Sequence, residues 1–238
     1  TEVTQGMFNE VMGYQSYDGY SSAYGSGTDY PAYYASWHMA ADFANAVTSH
    51  HNSENGTSLS ACYSCSGSGT SVTCSDAITP YQCDGYRLPT EGEWEYAARS
   101  GTTSEFWTGA GSSLGGTYSA NSCSTSVTIL DGVSNPLLSD YSWFCGNSSS
   151  SKPVGQKLPN GFGLYDVHGN LWEWTADWWG CSFPPTSTDP HCDSTGSDRV
   201  VRGGAWYSYP NFLQTSYRTY YSPATRYDGI GFRLLFPQ

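Results

Sequence analysis

Apolar positions recur at helical spacing in two stretches near the start of the chain, and this pattern predicts a helix in each. The first helix begins after Thr4, buries Phe8 and ends at Gly13. The second covers residues 36–47, SWHMAADFANAV, where Ser36 is a suitable N-cap and the Trp and Ala side chains share one face. Each helix therefore has one apolar face to bury against the rest of the protein.

A third helical signal lies in YRLPTEGEWEYAARSG, residues 86–101. Thr90 and Glu93 have the spacing of a capping box, in which each side chain binds the other residue's backbone amide. Elsewhere short apolar runs alternate with Ser, Gly, Thr and Tyr, and a Ser/Gly/Cys-rich stretch over residues 48–83 is predicted to be a long loop. The sequence thus indicates an α+β protein with little regular secondary structure, formed as one domain over residues 1–238.

The charge balance narrows the partners that this chain can bind. Its net charge is −12, and Lys152 and Lys157 are the only lysines. Nucleic acid and anionic lipid would repel such a chain, so neither is an expected partner. No apolar run reaches the length of a membrane span, and membrane insertion is not expected. Charged residues make up 13% of the chain, and the wealth of Ser, Thr, Gly and Tyr is typical of secreted and surface-displayed proteins. We therefore expect an extracellular or cell-surface location.

The cysteines predict cross-links. There are eight of them, an even number, and they lie in Ser-, Gly- and Thr-rich stretches, which indicates disulfides formed in an oxidising compartment. An alternative is a zinc site on the CxxC of Cys62 and Cys65, but no second CxxC follows. Sequence proximity suggests the pairs Cys62–Cys83, Cys65–Cys74, Cys123–Cys145 and Cys181–Cys192.

Tyrosine dominates the C-terminal stretch between RGGAW and IGFR, within residues 202–233. Tyr, Ser, Gly and Asn are the residues with which binding surfaces contact a partner at low entropic cost, and they are poor material for acid–base or thiol chemistry. We expect several of these rings to be exposed on one face and to bind a protein, a glycan or a neighbouring subunit. A second Tyr/Ser/Gly-rich stretch, residues 14–31, is a predicted loop, either solvated or part of the same surface. The predicted ligand-binding residues are Tyr207, Ser208, Tyr209, Asn211, Phe212, Tyr217, Tyr220, Tyr221, Tyr227 and Asp228.

Framework residues surround this stretch. Arg202 and Arg233 are expected to form buried ion pairs with Glu93 or Glu95. The tryptophans of LWEWTADWW are interpreted as core rather than as a platform for sugars.

The chain resembles the sulfatase-modifying-factor, or formylglycine-generating-enzyme-like, domain family. The resemblance rests on three blocks: YRLPTEGEWEYAARSG, NGFGLYDVHGNLWEWTADWW, and RVVRGGAW with IGFRLL. It extends over nearly the whole chain except the Cys-rich insertion and the Tyr/Ser loops, and it implies a variant of the C-type lectin fold with bound calcium. The segment that precedes EVT in the family is not in this sequence, so an N-terminally incomplete domain is expected.

The resemblance implies a structural calcium site in DVHGNLWE. Its ligands would be the side chains of Asp166 and Glu173 and the backbone carbonyls of Gly169 and Leu171. Carboxylate and carbonyl oxygens are the ligands that Ca²⁺ prefers. The alternative is that the two carboxylates only bind backbone amides of a tight loop.

The resemblance also carries an enzymatic alternative, an oxidoreductase related to formylglycine-generating enzyme. These enzymes are copper-dependent oxidases with two cysteines, which fall near Ser208 and Leu213 of this chain. Thiolates are the soft ligands that select Cu(I), and neither residue supplies one. The expected protein is therefore non-catalytic.

Another branch of the same fold occurs in diversity-generating retroelements, where the C-terminal stretch is hypervariable. In this chain the residue types between Trp206 and Gly229 include Tyr, Ser, Phe, Thr, Asp, Ala, Gly and Asn, which all arise from AAY codons by changes at adenine. A variable binding protein and a fixed binding or structural member are both open at this point. Five interspersed residues resemble fixed framework: Pro210, Leu213, Arg218, Pro223 and Arg226.

Overall fold

The computed structural model describes residues 1–108, 113–115, 122–130, 134–182, 188–193 and 196–236. Within these residues the chain forms three α-helices, α1 (Gln5–Met12), α2 (Trp37–Asn55) and α3 (Glu91–Arg99). Its strands are β1 (Tyr63–Ser66), β2 (Thr73–Asp76), β3 (Ser113–Gly115), β4 (Thr128–Leu130), β5 (Trp172–Trp178), β6 (Arg199–Arg202), β7 (Arg218–Tyr221) and β8 (Ile230–Gly231). Short elements between long turns are what the sequence predicts.

Local side-chain chemistry determines the ends of α1 and the start of α3. The Thr4 hydroxyl accepts a hydrogen bond from the Met7 amide at 3.2 Å, and Gly13 ends α1 in the left-handed region with a φ of 74°. Thr90 and Glu93 form both hydrogen bonds of the capping box that begins α3. These sequence predictions are confirmed.

The second helix is longer than the apolar pattern predicts. It continues through Asn55 and ends where Gly56 adopts a φ of 65°, so the predicted loop over residues 48–83 is wrong in its first part. The Thr48 hydroxyl donates a hydrogen bond to the Ala44 carbonyl at 2.9 Å and lies buried in the helix. The last turns of α2 face solvent and carry no apolar period, which is why the pattern did not reveal them.

The central sheet has the strand order β7-β6-β5-β8. Strand β5 pairs antiparallel with β6 and parallel with β8, and every residue of β5 except its last is buried. The indole N–H groups of Trp37 and Trp174 donate hydrogen bonds to the backbone carbonyls of Thr175 and Ala35, each at 2.9 Å. Trp37 and Trp174 therefore belong to the core, with their polar atoms satisfied.

Four disulfides join the eight cysteines: Cys62–Cys83, Cys65–Cys74, Cys123–Cys145 and Cys181–Cys192. These are the pairs that sequence proximity suggests, and the zinc alternative is wrong because Cys62 and Cys65 are bonded to other cysteines. Cys65 and Cys74 are directly opposite in the hairpin of β1 and β2, so cross-links hold the Ser/Gly-rich insertion, while Tyr63 and Val72 pack into the main core. Four disulfides are typical of a protein in an oxidising compartment. No helix among the described residues combines the length and apolarity of a membrane span.

The buried arginines pair partly as the sequence predicts. Arg202 pairs with Glu95, one of the two expected partners. Arg233 instead pairs with Glu173 at 2.5 Å, so the expected pair with Glu93 or Glu95 is wrong for this arginine. The reason is the sheet register, because Gly231 of β8 lies opposite Glu173 of β5 and carries Arg233 to the same end of the sheet.

Candidate ligand-binding surface

A cleft with a volume of about 290 Å³ opens beside β7 and the loop that precedes it. Six of its eight lining side chains are aromatic, and none of the eight carries a charge at neutral pH. The lining residues are Trp172, Tyr207, Ser208, Tyr209, Phe212, Tyr217, Thr219 and Tyr221. Concave, mostly aromatic surfaces with a few hydroxyl groups are typical of ligand sites.

Strand β7 presents a different set of side chains on each face, because successive residues of a strand point to opposite sides. Thr219 and Tyr221 line the cleft. Arg218 and Tyr220 lie on the other face, where both pack against Trp179, with the guanidinium of Arg218 4.5 Å from the ring centroid. The two faces of β7 therefore belong to two different surfaces of the protein.

The loop after β6 holds the remaining rings on a backbone that is anchored to the core. Gly204 has a φ of 82°, and a side chain there would meet Leu213 at 3.1 Å. The Ser208 hydroxyl accepts a hydrogen bond from the Ala205 amide at 2.9 Å. A 3-10 turn over Pro210–Leu213 follows, and Pro210 and Leu213 are both buried. The buried residues between the aromatic ones thus anchor the segment in the core, as expected of framework.

The predicted ligand-binding residues fall into three groups. Six of them line the cleft: Tyr207, Ser208, Tyr209, Phe212, Tyr217 and Tyr221. Tyr220 and Tyr227 are outside the cleft and exposed, at 45% and 47%. Asn211 and Asp228 are half-buried and do not line the cleft. Burial raises the pKa of the Tyr207 and Tyr221 hydroxyls, so these two groups stay uncharged at neutral pH.

The structure also brings in residues that sequence reasoning did not assign to the surface. Trp172 comes from the core strand β5, and Thr219 from β7. No local sequence pattern distinguishes Trp172, because it is buried like its neighbours in β5. Its place in the cleft wall is visible only from its packing with Tyr207 and Tyr217.

The N-terminal tyrosine-rich loop packs against this segment. Tyr24 stacks on Trp206 with ring centroids 5.8 Å apart. The Arg226 guanidinium donates hydrogen bonds to the backbone carbonyls of Tyr34 and Ser16, at 2.9 and 2.7 Å. Of the two interpretations of residues 14–31, these contacts favour the one that joins the loop to the C-terminal surface.

The two carboxylates of the predicted calcium segment, those of Asp166 and Glu173, differ in whether their oxygens already have hydrogen-bond partners. Both carboxylate oxygens of Glu173 are occupied, since Arg233 donates to them at 2.5 and 2.6 Å and the Trp94 indole donates at 2.7 Å. Asp166 accepts a hydrogen bond from the Gly155 amide at 2.7 Å through Oδ2, and its buried Oδ1 has no hydrogen-bond partner. Burial raises the pKa of Asp166. No three His, Cys, Asp or Glu side chains of the described residues converge as a metal site. The arrangement fits a cation at Asp166 and does not fit one at Glu173.

The two residues that the resemblance places at oxidase cysteines are buried. Ser208 is 3% exposed, and Leu213 is fully buried. The Leu213 carbonyl accepts a hydrogen bond from Nδ1 of His168 at 2.6 Å, while burial lowers the pKa of His168 to about 4. His168 is therefore a neutral, structural histidine.

A larger cavity of about 490 Å³ lies between α1 and α2. Its apolar lining includes Val11, Phe43 and Val47, and its rim carries His50 and Glu54. Its lining includes no residue of the two tyrosine-rich segments (residues 14–31 and 207–228), whereas six predicted residues line the smaller cleft. The smaller cleft is therefore the candidate site.

The chain belongs to the family of sulfatase-modifying factor enzyme 1-like domains, whose model matches residues 1–237. This match and the solved neighbours confirm the α+β fold as a formylglycine-generating-enzyme-like variant of the C-type lectin fold. Family membership defines the scaffold, while function depends on the residues placed upon it.

Three proteins show the range of this similarity. The formylglycine-generating enzyme of Thermomonospora curvata is 33% identical over 171 residues, covering 68% of this chain and 53% of the enzyme. The chaperone protein LppX of Paenibacillus barcinonensis is 35% identical over 136 residues, covering 56% of this chain and 43% of the chaperone. The chain thus spans about half the length of these curated relatives. Treponema denticola variable protein 1 superposes with a TM-score of 0.70 at 28% identity, over 99% of this chain and 82% of that chain.

Proposed function

We propose that this protein is a non-catalytic, extracellular binding protein that captures a protein ligand in the aromatic cleft beside β7. The single observation that carries the proposal is the cleft itself. Its aromatic side chains come mainly from the C-terminal tyrosine segment (residues 207–228), and buried Pro210 and Leu213 hold that segment to the core. Rigid aromatic side chains supply contact area at low entropic cost.

Three further observations support this proposal. The fold resembles that of a solved protein called variable protein 1, which fits a scaffold whose surface segment changes while its framework is kept. The four disulfides suit an oxidising extracellular setting. The strongly negative charge excludes nucleic acid as a favourable partner.

The relatives named formylglycine-generating enzyme favour an oxidoreductase as the second candidate. In this chain all eight cysteines are in disulfides, and Ser208 and Leu213 stand where the oxidases carry thiols. A Cu(I) site of the thiolate type therefore lacks its ligands, and this is why binding is proposed in preference to catalysis.

Panning a library of linear peptides against the immobilised protein tests the binding proposal. We expect the panning to enrich peptides that bind the wild type. Their affinity for a Tyr209→Ala/Phe212→Ala variant should be lower by a factor of about ten or more, because interface aromatics contribute about 1–2 kcal/mol each or more. Tyr209 is 40% exposed and Phe212 is half-buried, so the variant is expected to fold.

The matched control is Tyr96→Ala, which removes a tyrosine that is 70% exposed on α3, outside the cleft. It is expected to leave peptide binding unchanged. A library that yields no enriched peptide, or peptides that bind the double variant as well as the wild type, would contradict the proposal.

We also propose that calcium stabilises the fold through Asp166 and the carbonyls of Gly169 and Leu171. The support is the buried Oδ1 of Asp166, which has no partner and is a hard oxygen ligand of the kind that Ca²⁺ prefers. Glu173 is not part of this proposal, because Arg233 already neutralises it.

Removal of calcium by a chelator tests this proposal. EDTA should lower the melting temperature of the wild type, and added calcium should restore it, because a bound ligand stabilises the folded state. The Asp166→Ala variant, which has no side-chain oxygen left to bind calcium, should melt at the same temperature with and without EDTA. If EDTA leaves the wild-type melting temperature unchanged, calcium has no structural role here.

A further inference from the structure

The rings around the cleft form walls rather than a flat platform. The plane of Trp172 is inclined by 44° to that of Tyr217, with centroids 5.9 Å apart. The plane of Phe212 is inclined by 63° to that of Tyr217, with centroids 4.9 Å apart. Tyr207 and Tyr221 complete the enclosure. Aromatic rings that surround a small space present their negative faces and edges to it from several directions.

The Lys and Arg side chains of the protein all have partners outside the cleft. Six Lys and Arg side chains lie over other rings: Arg87, Lys157, Arg199, Arg202, Arg218 and Arg226. The other three bind Glu95, Glu173 and the Ser150 hydroxyl. Among the described cation–π contacts, none involves a ring that lines the cleft. This protein therefore uses cation–π pairing widely and leaves one aromatic enclosure without a cation.

A carboxylate that is not itself among the lining residues lies near Tyr207 of the cleft. The Tyr207 ring packs on Gly229 so closely that an added Cβ would fall 2.5 Å from the Tyr207 hydroxyl oxygen. Asp228 is the preceding residue, and its buried Oδ1 has no hydrogen-bond partner. An acidic group beside uncharged rings, in a chain of net charge −12, attracts a positive ligand and repels a negative one.

From these observations we infer that the cleft is an aromatic cage for the cationic side chain of an arginine or lysine presented by the protein ligand. This inference rests on the proposed function and names the chemistry that the ligand brings to it. A cation over aromatic faces is attracted by the ring quadrupoles, most strongly where water is excluded. The negative charge of the whole chain speeds the approach of such a basic segment.

The lining is less suited to a sugar. Sugar hydroxyls require several hydrogen-bonding partners, and the cleft has no carboxamide or charged side chain in its walls. The Ser208 hydroxyl is already bound to the Ala205 amide and is nearly buried. Thr219 and the tyrosine hydroxyls are the hydroxyl groups that remain.

A pair of small probes tests the charge requirement directly. N-acetyl-arginine amide and N-acetyl-citrulline amide have the same shape, and only the first carries a charge. Ligand-observed NMR titration of the folded, disulfide-bonded protein should give a dissociation constant about tenfold lower for the arginine probe, since cation–π contacts of this kind are worth roughly one factor of ten. Equal affinities for the two probes would overturn the inference.

Variants of one wall separate the cation–π contribution from apolar packing. Tyr217→Phe keeps the ring and is expected to keep the preference for arginine, whereas Tyr217→Leu keeps apolar bulk and is expected to lose it. Asp228→Asn should weaken binding of the arginine probe and leave that of the citrulline probe unchanged. A Tyr217→Leu variant that still prefers arginine would show that the ring is not the recognition element, which also overturns the inference.

The probe titration and the peptide panning distinguish a failure of the cation cage from a failure of the binding proposal. If the enriched peptides lack Arg and Lys but still need Tyr209 and Phe212, the binding proposal stands and the cation cage is wrong. If no peptide is enriched but the arginine probe binds with the expected preference, the capture of a protein ligand is contradicted, while the cleft still recognises a cationic side chain.

Discussion

Replacing Glu173 by glutamine is expected to lower the free energy of unfolding by about 3–5 kcal/mol, because it removes the charged carboxylate that pairs directly with the buried Arg233 guanidinium. The Arg233 side chain donates hydrogen bonds to both carboxylate oxygens of Glu173, at 2.5 and 2.6 Å, and the Glu173 side chain is 1% exposed. The Trp94 indole binds the same carboxylate at 2.7 Å, so the substitution also disturbs the contact between α3 and β5.

The Arg233→Leu substitution should cost at least as much. Arg233 faces two further buried carboxylates, Glu2 and Asp166, as well as Glu173. Burial, together with the charges of Asp166 and Glu173, raises the pKa of Glu2 well above its ordinary value. Without the arginine, several acids would have to be protonated or separated for the chain to fold.

Chemical denaturation under non-reducing conditions measures both effects. The matched control is Glu54→Gln, which breaks the exposed His50–Glu54 pair, where the Glu54 side chain is 64% exposed. That change should stay within about 0.5 kcal/mol. If Glu173→Gln is no more destabilising than the control, the buried pair does not support the sheet.

The Gly169→Ala substitution is the second change with a large expected effect, a loss of about 2–5 kcal/mol. Gly169 has a φ of 84°, where a Cβ costs about 1–2 kcal/mol. The new Cβ would also overlap the backbone carbonyl of Trp143, whose carbon would lie 3.0 Å away, and overpacking adds about 1–3 kcal/mol. The Trp143 carbonyl accepts the Asn170 amide at 2.9 Å, so the turn that leads into β5 would be pushed open.

Gly163→Ala provides the control for this substitution. Gly163 has a similar φ of 79°, but an added Cβ would meet nothing within 4 Å. It should therefore show only the backbone cost of about 1–2 kcal/mol. Equal losses of stability in the two variants would mean that the approach of Trp143 is unimportant and that φ alone explains the glycine.

The sequence by itself determined those features that short-range chemistry controls. Thr4 and the Thr90–Glu93 pair show helix starts directly, because a cap needs one side chain and the amide two or three residues further on. The C-terminal tyrosines indicated a surface because so many rings could not be buried in one short segment. The blocks of the family resemblance indicated the fold, which the match over residues 1–237 confirms.

Only the tertiary structure decided which residues from distant parts of the chain come into contact. The end of α2 was missed because its last turns face solvent and need no apolar period. The partner of Arg233 depends on the register between β5 and β8, and the place of Trp172 in the cleft depends on how the Tyr207 and Tyr217 rings pack across the sheet. These contacts join residues that are far apart in the chain. Their energies depend on distance in space and on burial, neither of which local sequence spacing records.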